Sequence, residues 1–257
     1  MIPSVLVTGG LGYLGGRLLA HLREAGFGAL RATSRRARRP AWFQDLDLVQ
    51  TGMDDFGGLV GACTGVDAVV HLAALNAQAC GADPALARAV NVGGTERLLR
   101  AAHAAGVERV VYLSTAHVYG APLAGRLDEH SPTVSGNPGA QPPAHPYATT
   151  HRAAEDAVRD WAGRTGGTAV VLRLSNAVGA PMDAGADCWM LLVNDLCRQA
   201  VTTGRLALRG PGLDRRDYLP LADAVAAVAH LLAADRNVLG DGLFNVGSGE
   251  SRETIAV

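Results

Sequence analysis

Thr8-Gly9-Gly10-Leu11-Gly12-Tyr13-Leu14-Gly15 stands between a short apolar run, Val5-Leu6-Val7, and a stretch in which Leu14, Leu18, Leu19 and Leu22 recur at helical spacing. The run before it reads as a buried strand, and the stretch after it as an amphipathic helix that Gly26 stops. Two glycine spacings overlap in the turn: Gly10, Gly12 and Gly15, and also Gly9, Gly12 and Gly15. Glycine here permits positive φ, close approach of a pyrophosphate to the backbone, and tight packing of helix on strand. The helix start beyond the turn offers free N–H groups and a partial positive charge. Alone, a glycine pattern is weak; set between a strand and a helix, it predicts a dinucleotide cradle.

Outward from this turn the chain alternates. Further strands are expected at Ala29 to Thr33, near Leu48, at Asp67 to Leu72, at Arg109 to Leu113 and at Ala169 to Leu172. Long helices are expected over Ala85 to Ala104 and Tyr147 to Trp161. Such alternation predicts an α/β protein whose doubly wound parallel sheet is covered on both faces. At 257 residues the chain has room for a dinucleotide-binding domain, expected over 1–175, and a smaller, partly interleaved substrate-binding lobe over 176–257. The tract Leu127 to Pro146, rich in Pro, Gly and Ser, is either a lid or a plain surface loop.

Composition narrows the partners. A formal net charge of -1 gives no electrostatic case for nucleic acid or membrane. Cys63, Cys80, Cys188 and Cys197 form no Cys-x-x-Cys pair and read as reduced thiols, without a metal-ligand pattern. No apolar run approaches the roughly 20 residues that span a bilayer. Nor does Met1-Ile2-Pro3-Ser4-Val5 resemble a secretion signal. A cytoplasmic protein is the expectation.

At the end of the second strand, where NAD-binding domains carry an acidic residue for the adenosine ribose, the chain reads Thr33-Ser34-Arg35-Arg36-Ala37-Arg38-Arg39. With arginines and no carboxylate, Ser34, Arg35 and Arg36 suit a 2′-phosphate, favouring NADP over NAD.

With these residues in hand, the chain resembles an extended short-chain dehydrogenase/reductase of the NAD-dependent epimerase/dehydratase type, a Rossmann-like fold. The glycine turn, Val66 to Ala74, Asn91-Val92-Gly93-Gly94-Thr95, Leu113 to Gly120 and Phe244 to Gly249 match that family's motifs in order. The resemblance implies cofactor contacts from Gly9, Gly12, Tyr13, Leu14, Gly15, Leu72, Ala73, Ala74 and Asn91. It implies a substrate-binding Thr115, with Ser114 as a substitute, and a proton-exchanging Tyr147. It places Asn176 and Arg216 against substrate, where Arg216 would grip a diphosphate; an ion pair of Arg216 with Asp217 is the structural alternative. It further implies a nucleotide-sugar substrate and a homodimer through the Tyr147 helix. The expected activity is that of an NAD(P)-dependent oxidoreductase on a keto or hydroxy group. A sugar-nucleotide epimerase, a non-redox lyase or cyclase, and a catalytically silent dinucleotide-binding module are the alternatives.

Several positions depart from the pattern. The family's Tyr-x-x-x-Lys pair is Tyr147-Ala148-Thr149-Thr150-His151. Ionising a free tyrosine near neutrality needs a shift of about three pKa units, or about 4 kcal/mol, to which the missing ammonium contributes in the family. His151, one turn on, faces the same side but is mostly neutral when unperturbed. It is a working substitute, or the chemistry needs little tyrosinate, or the redox step is lost. His145 is a second candidate proton carrier. Ala116-His117 replaces the Asp-Glu pair of sugar 4,6-dehydratases, Gly52 stands near a customary adenine-contacting aspartate, and Pro220 replaces a common histidine. The chain also ends at Val257, earlier than the family's usual length, so a reduced C-terminal lobe and a missing tail both stay open.

Overall fold

A computed structural model describes residues 3–36, 39–121, 123, 125–134, 144–208 and 210–256. Its first half runs β1 (Val5–Thr8), α1 (Tyr13–Glu24), β2 (Leu30–Ser34), β3 (Asp47–Gln50), α2 (Phe56–Cys63), β4 (Ala68–His71), α3 (Ala77–Ala82), α4 (Pro84–Ala87), α5 (Gly94–Ala104) and β5 (Arg109–Thr115). There follow α6 (Pro146–Thr165), β6 (Thr168–Leu174), β7 (Asn176–Val178), α7 (Leu192–Thr203), β8 (Arg215–Pro220), α8 (Leu221–Ala233), β9 (Leu243–Val246) and β10 (Ser251–Glu253). Seven parallel strands form one sheet in the order β3-β2-β1-β4-β5-β6-β9. The order reverses between β1 and β4, and open sheets of this kind bind ligands in that crevice at their carboxyl edge.

Period-two alternation explains the double coverage. Val5, Val7, Val70, Val111, Leu113, Val170 and Leu172 turn to one face, where Leu18, Leu19 and Leu22 of α1 and Val225 and Val228 of α8 meet them. Leu6, Val69, Val110, Tyr112 and Val171 turn to the other, against Leu59 of α2, Leu98 of α5 and Val158 and Trp161 of α6. Leu6, Leu18, Leu59 and Leu98 have no exposed surface, and each such side chain stabilises the fold by roughly 1.5–3 kcal/mol.

One finding modifies the sequence-level picture. The helix expected over 85–104 is interrupted by a π-helical turn, Arg88–Gly93, whose widened coil turns Asn91 into the interior. After residue 175, α8 and β9 return to the main body, while β7, β8 and β10 form a separate three-stranded sheet. Residues 135–143 of the Pro- and Gly-rich tract, and Ala37 and Arg38 of the basic run, lie outside the described residues. No helix among the described residues is long and apolar enough to cross a membrane. All four cysteines are free thiols, and only Cys197 is exposed.

Candidate active site

The glycine turn closes the carboxyl end of β1. Gly9 has φ of 68°, and a Cβ there would come within 3.1 Å of the Ala73 backbone nitrogen. A Cβ on Gly15 would collide with the Gly9 carbonyl, and one on Gly10 would press to 2.7 Å on Ala32. Gly9 and Gly15 therefore shape the cradle, whereas Gly10 is needed for packing on β2. Gly12 caps α1 without a side-chain hydrogen bond, and the first helical turn carries no acidic residue, so its N–H groups stay available to an anion. Leu72, Ala73 and Ala74 continue from β4 across this opening. The Thr8 hydroxyl steadies them by accepting from Leu72 N (3.3 Å) and Ala73 N (3.4 Å).

Behind the turn, His71 pairs with Thr8 Oγ1 through Nδ1 (2.7 Å) and with Thr95 Oγ1 through Nε2 (2.9 Å). Thr95 already donates its hydroxyl proton to the Asn91 carbonyl (2.6 Å), so His71 donates from Nε2 and accepts at Nδ1. Burial, then His151, pushes this imidazole down to about 3, and it is neutral.

Helix α6 carries the central residues. Pro146 opens it, Gly166 closes it with φ of 75°, and His145 caps it by accepting from Tyr147 N at Nδ1 (3.1 Å). His145 therefore works as a cap, with one ring nitrogen committed to the backbone. The 3.6-residue period places Tyr147, His151 and Glu155 on one face. The Tyr147 and His151 rings meet edge-on at 4.5 Å between centroids, and His117 approaches Tyr147 from the other side at 6.0 Å. His151 is 4 % exposed; its Nδ1 lies 2.8 Å from the Tyr112 hydroxyl, and its Nε2 is buried without a partner. Burial, then His117, pushes the imidazole down to about 4, so at neutral pH it brings no positive charge to Tyr147. The Tyr147 phenol is pushed up by burial, with a hydrogen bond from Thr115 acting against that rise.

Strand β5 separates the two expected substrate hydroxyls. Ser114 shares a face with Tyr112 and donates to Glu155 Oε1 (2.5 Å), so its one hydroxyl proton is committed inside the protein. Thr115, on the opposite face, accepts from His117 N (3.2 Å) and lies beside Tyr147. Glu155 also receives Arg173 on both oxygens, at 2.9 and 2.6 Å, with both side chains almost fully buried. Arg173 goes on to the Tyr119 hydroxyl (2.9 Å), which itself donates to Asn245 (2.6 Å).

The remaining expected residues divide. Ser34, Arg35 and Arg36 cluster at the carboxyl end of β2, with both arginines exposed and Ser34 Oγ accepting from Arg36 N (2.9 Å). Leu14 packs at the edge of the α1 core. Tyr13 donates to the Gly179 carbonyl (2.9 Å), tying α1 to the segment after β7. Asn91 accepts from Leu75 N (2.8 Å) and donates to Thr150 (3.1 Å), joining the loop after β4 to α6 from behind. Asn176 donates to the Asp217 carbonyl (3.0 Å). Arg216 is exposed and makes no ion pair among the described residues. Asp217 instead accepts from Ser175 Oγ, Ser248 N and Gly249 N, at 2.8, 2.8 and 3.0 Å. Partial burial, followed by Arg216 and His145, pushes the His117 imidazole down. A Cβ on Gly52 would collide with the Asp54 carboxylate, so an acidic side chain does reach the place where the family's aspartate is missing from the sequence.

Sequence reasoning passed over Tyr112 and Glu155 as partners of the site. Their signal was present in the alternation Tyr112-x-Ser114 along β5 and in the four-residue steps of α6.

The cradle that side chains would fill and the orphaned Nε2 of His151 both fit a nicotinamide dinucleotide lying across the β1–β4 crevice. Bound there, such a cofactor would supply a hydride donor or acceptor. Fold and site together define an oxidoreductase of the short-chain dehydrogenase class.

Comparison with known proteins narrows this further. A family model described as "NAD dependent epimerase/dehydratase family" matches residues 5–247, and the chain belongs to that family of enzymes. It is 33% identical to a UDP-glucose 4-epimerase of Azospirillum brasilense, over 96% of this chain and 73% of the relative. Among solved structures it resembles the UDP-glucose 4-epimerase of Thermus thermophilus in complex with NAD (TM-score 0.81, 26% identity, 98% of this chain, 79% of that one). A dTDP-glucose 4,6-dehydratase of Streptomyces venezuelae with NAD bound is as similar (TM-score 0.82, 26% identity, 98% and 78%).

Proposed function

We propose that this protein is an NADP-linked oxidoreductase that interconverts a keto and a hydroxy group on a nucleotide-activated sugar. The observation that carries the reading is the convergence of Thr115, Tyr147 and the orphaned His151 Nε2 at the carboxyl edge beside the glycine cradle. Thr115 orients the substrate oxygen, and Tyr147 gives it a proton or takes one from it. A neutral His151 serves as a hydrogen-bond donor to a cofactor sugar hydroxyl. Ser34, Arg35 and Arg36 hold the 2′-phosphate through forked, charge-assisted bonds. The unpaired Arg216, close enough to act on His117, supports an anionic substrate. Dehydration is disfavoured, since Ala116 has no proton to exchange. A homodimer through α6 belongs to the same proposal and is read by light scattering.

A second reading, a sugar-nucleotide epimerase that keeps its cofactor, is favoured by the 33% identical epimerase. Purified protein mixed with NADPH and a nucleotide-linked keto sugar is expected to oxidise NADPH. In addition, the pair Arg35→Ala and Arg36→Ala is expected to weaken NADP binding about 10- to 100-fold with NAD little changed. Co-purifying NAD with no net NADPH consumption would establish the epimerase instead.

A further inference from the structure

Between Tyr112 and His151 runs a single hydrogen bond of 2.8 Å, and two proton placements satisfy it. In the first, Tyr112 donates to Nδ1 and the imidazole carries its proton on Nε2. In the second, Nδ1–H donates to the phenol oxygen. The second leaves the Tyr112 proton without an acceptor among the described residues and the Nε2 lone pair without a donor, both at buried atoms. The first leaves only the Nε2–H unpaired, so it is the better satisfied arrangement.

We propose that Tyr112 is a positioning residue that locks His151 as the Nε2–H tautomer, so that the imidazole presents a neutral donor to a sugar hydroxyl of the bound dinucleotide. The last clause rests on the function proposed above; the tautomer itself does not.

The groups around the pair sustain this assignment. Tyr147 lies edge-on to His151 from the same helix, Cys80 acts on Tyr112 and Tyr147 from α3, and Glu155 is occupied by Ser114 and Arg173. His71 comes within 5.6 Å of the Tyr112 ring but spends both nitrogens on Thr8 and Thr95. No donor reaches the Tyr112 oxygen among the described residues, so the chain of bonds ends there and is not a proton path outward. Burial holds Tyr112 well above its usual value, which keeps it a phenol and a donor throughout the working range.

The test needs no cofactor at its first step. Protein labelled with ¹⁵N-histidine is studied by long-range proton–nitrogen spectra near neutral pH, and the His151 signals are identified by their loss in His151→Asn. The expected wild-type pattern is a neutral ring with its proton on Nε2; an Nδ1–H ring or an imidazolium overturns the proposal. In Tyr112→Phe the signals should become those of a tautomer mixture, with a fluorescence-titrated NADPH affinity weakened in proportion to the lost Nε2–H fraction, about two-fold for an even mixture. An unchanged tautomer in that variant overturns the role of Tyr112. A changed tautomer with unchanged affinity overturns the link to the cofactor. Because the wild-type spectrum is read without ligand, it stands even if the proposed enzymatic function fails.

Discussion

Tyr147 must be ionised to take a proton from an alcohol and protonated to give one to a carbonyl oxygen, and its neighbours bias that choice. Burial favours the phenol, and His151, pushed down to about 4, adds no charge to oppose it. The carbonyl-reducing direction therefore suits this site near neutrality, while the alcohol-oxidising direction calls for higher pH. His151→Lys would place an ammonium one turn from Tyr147 and lower the phenol pKa by about one to three units. The expected result is an oxidation rate whose rise with pH moves down by that amount, measured as kcat against pH. A clear loss of activity in both directions would show instead that the imidazole has a chemical role of its own. The sequence made His151 visible as a departure, because four-residue spacing puts it on the Tyr147 face. It could not reveal the ring's charge, which depends on burial and on His117, brought in from a distant part of the chain.

Helix α6 shows how one element serves both packing and chemistry. Its bounds were largely legible: the expected Tyr147 to Trp161 lies within the observed Pro146–Thr165, and proline and glycine mark the ends. The long helix expected over 85–104 was less faithful, because apolar spacing does not register the extra residue per π-turn that brings Asn91 to Leu75 and Thr150. Across α6, β5 and β6, the Glu155–Arg173 pair receives Ser114 as a third member. Glu155→Ala would leave a guanidinium buried and unpaired, and removal of one partner of such a pair costs about 3–5 kcal/mol. Urea titration should show that loss, and a change below about 1 kcal/mol would mean that Arg173 finds another partner. The motif-based assignment of Ser114 to substrate misses this network, since a motif does not say which face of β5 meets a carboxylate.

Over the whole molecule, two buried imidazoles link stability to pH. His71 and His151, pushed down to about 3 and about 4, stay neutral in the fold, whereas in the unfolded chain they titrate near about 6.5. Between these values the unfolded chain binds more protons, so acidification favours it; the contribution is complete above about pH 6.5 and is lost as pH falls toward about 4. The two together should make the protein about 4 kcal/mol less stable near pH 5 than near pH 7, as read from urea midpoints. Equal midpoints at the two pH values would show that the rings are hydrated in the native state. The first six strands, the helix after the glycine turn, the glycine cradle and the residues aligned along α6 could be read in the chain, because each depends on spacing within a few dozen residues. Only the tertiary structure decided that Ser114 turns inward, that β9 completes the main sheet with α8 packed on its face, and that His151 is a neutral partner of Tyr112. Those outcomes depend on which side chains from distant segments meet in an enclosed interior, where an unpaired proton or charge is costly, and no local pattern records that meeting.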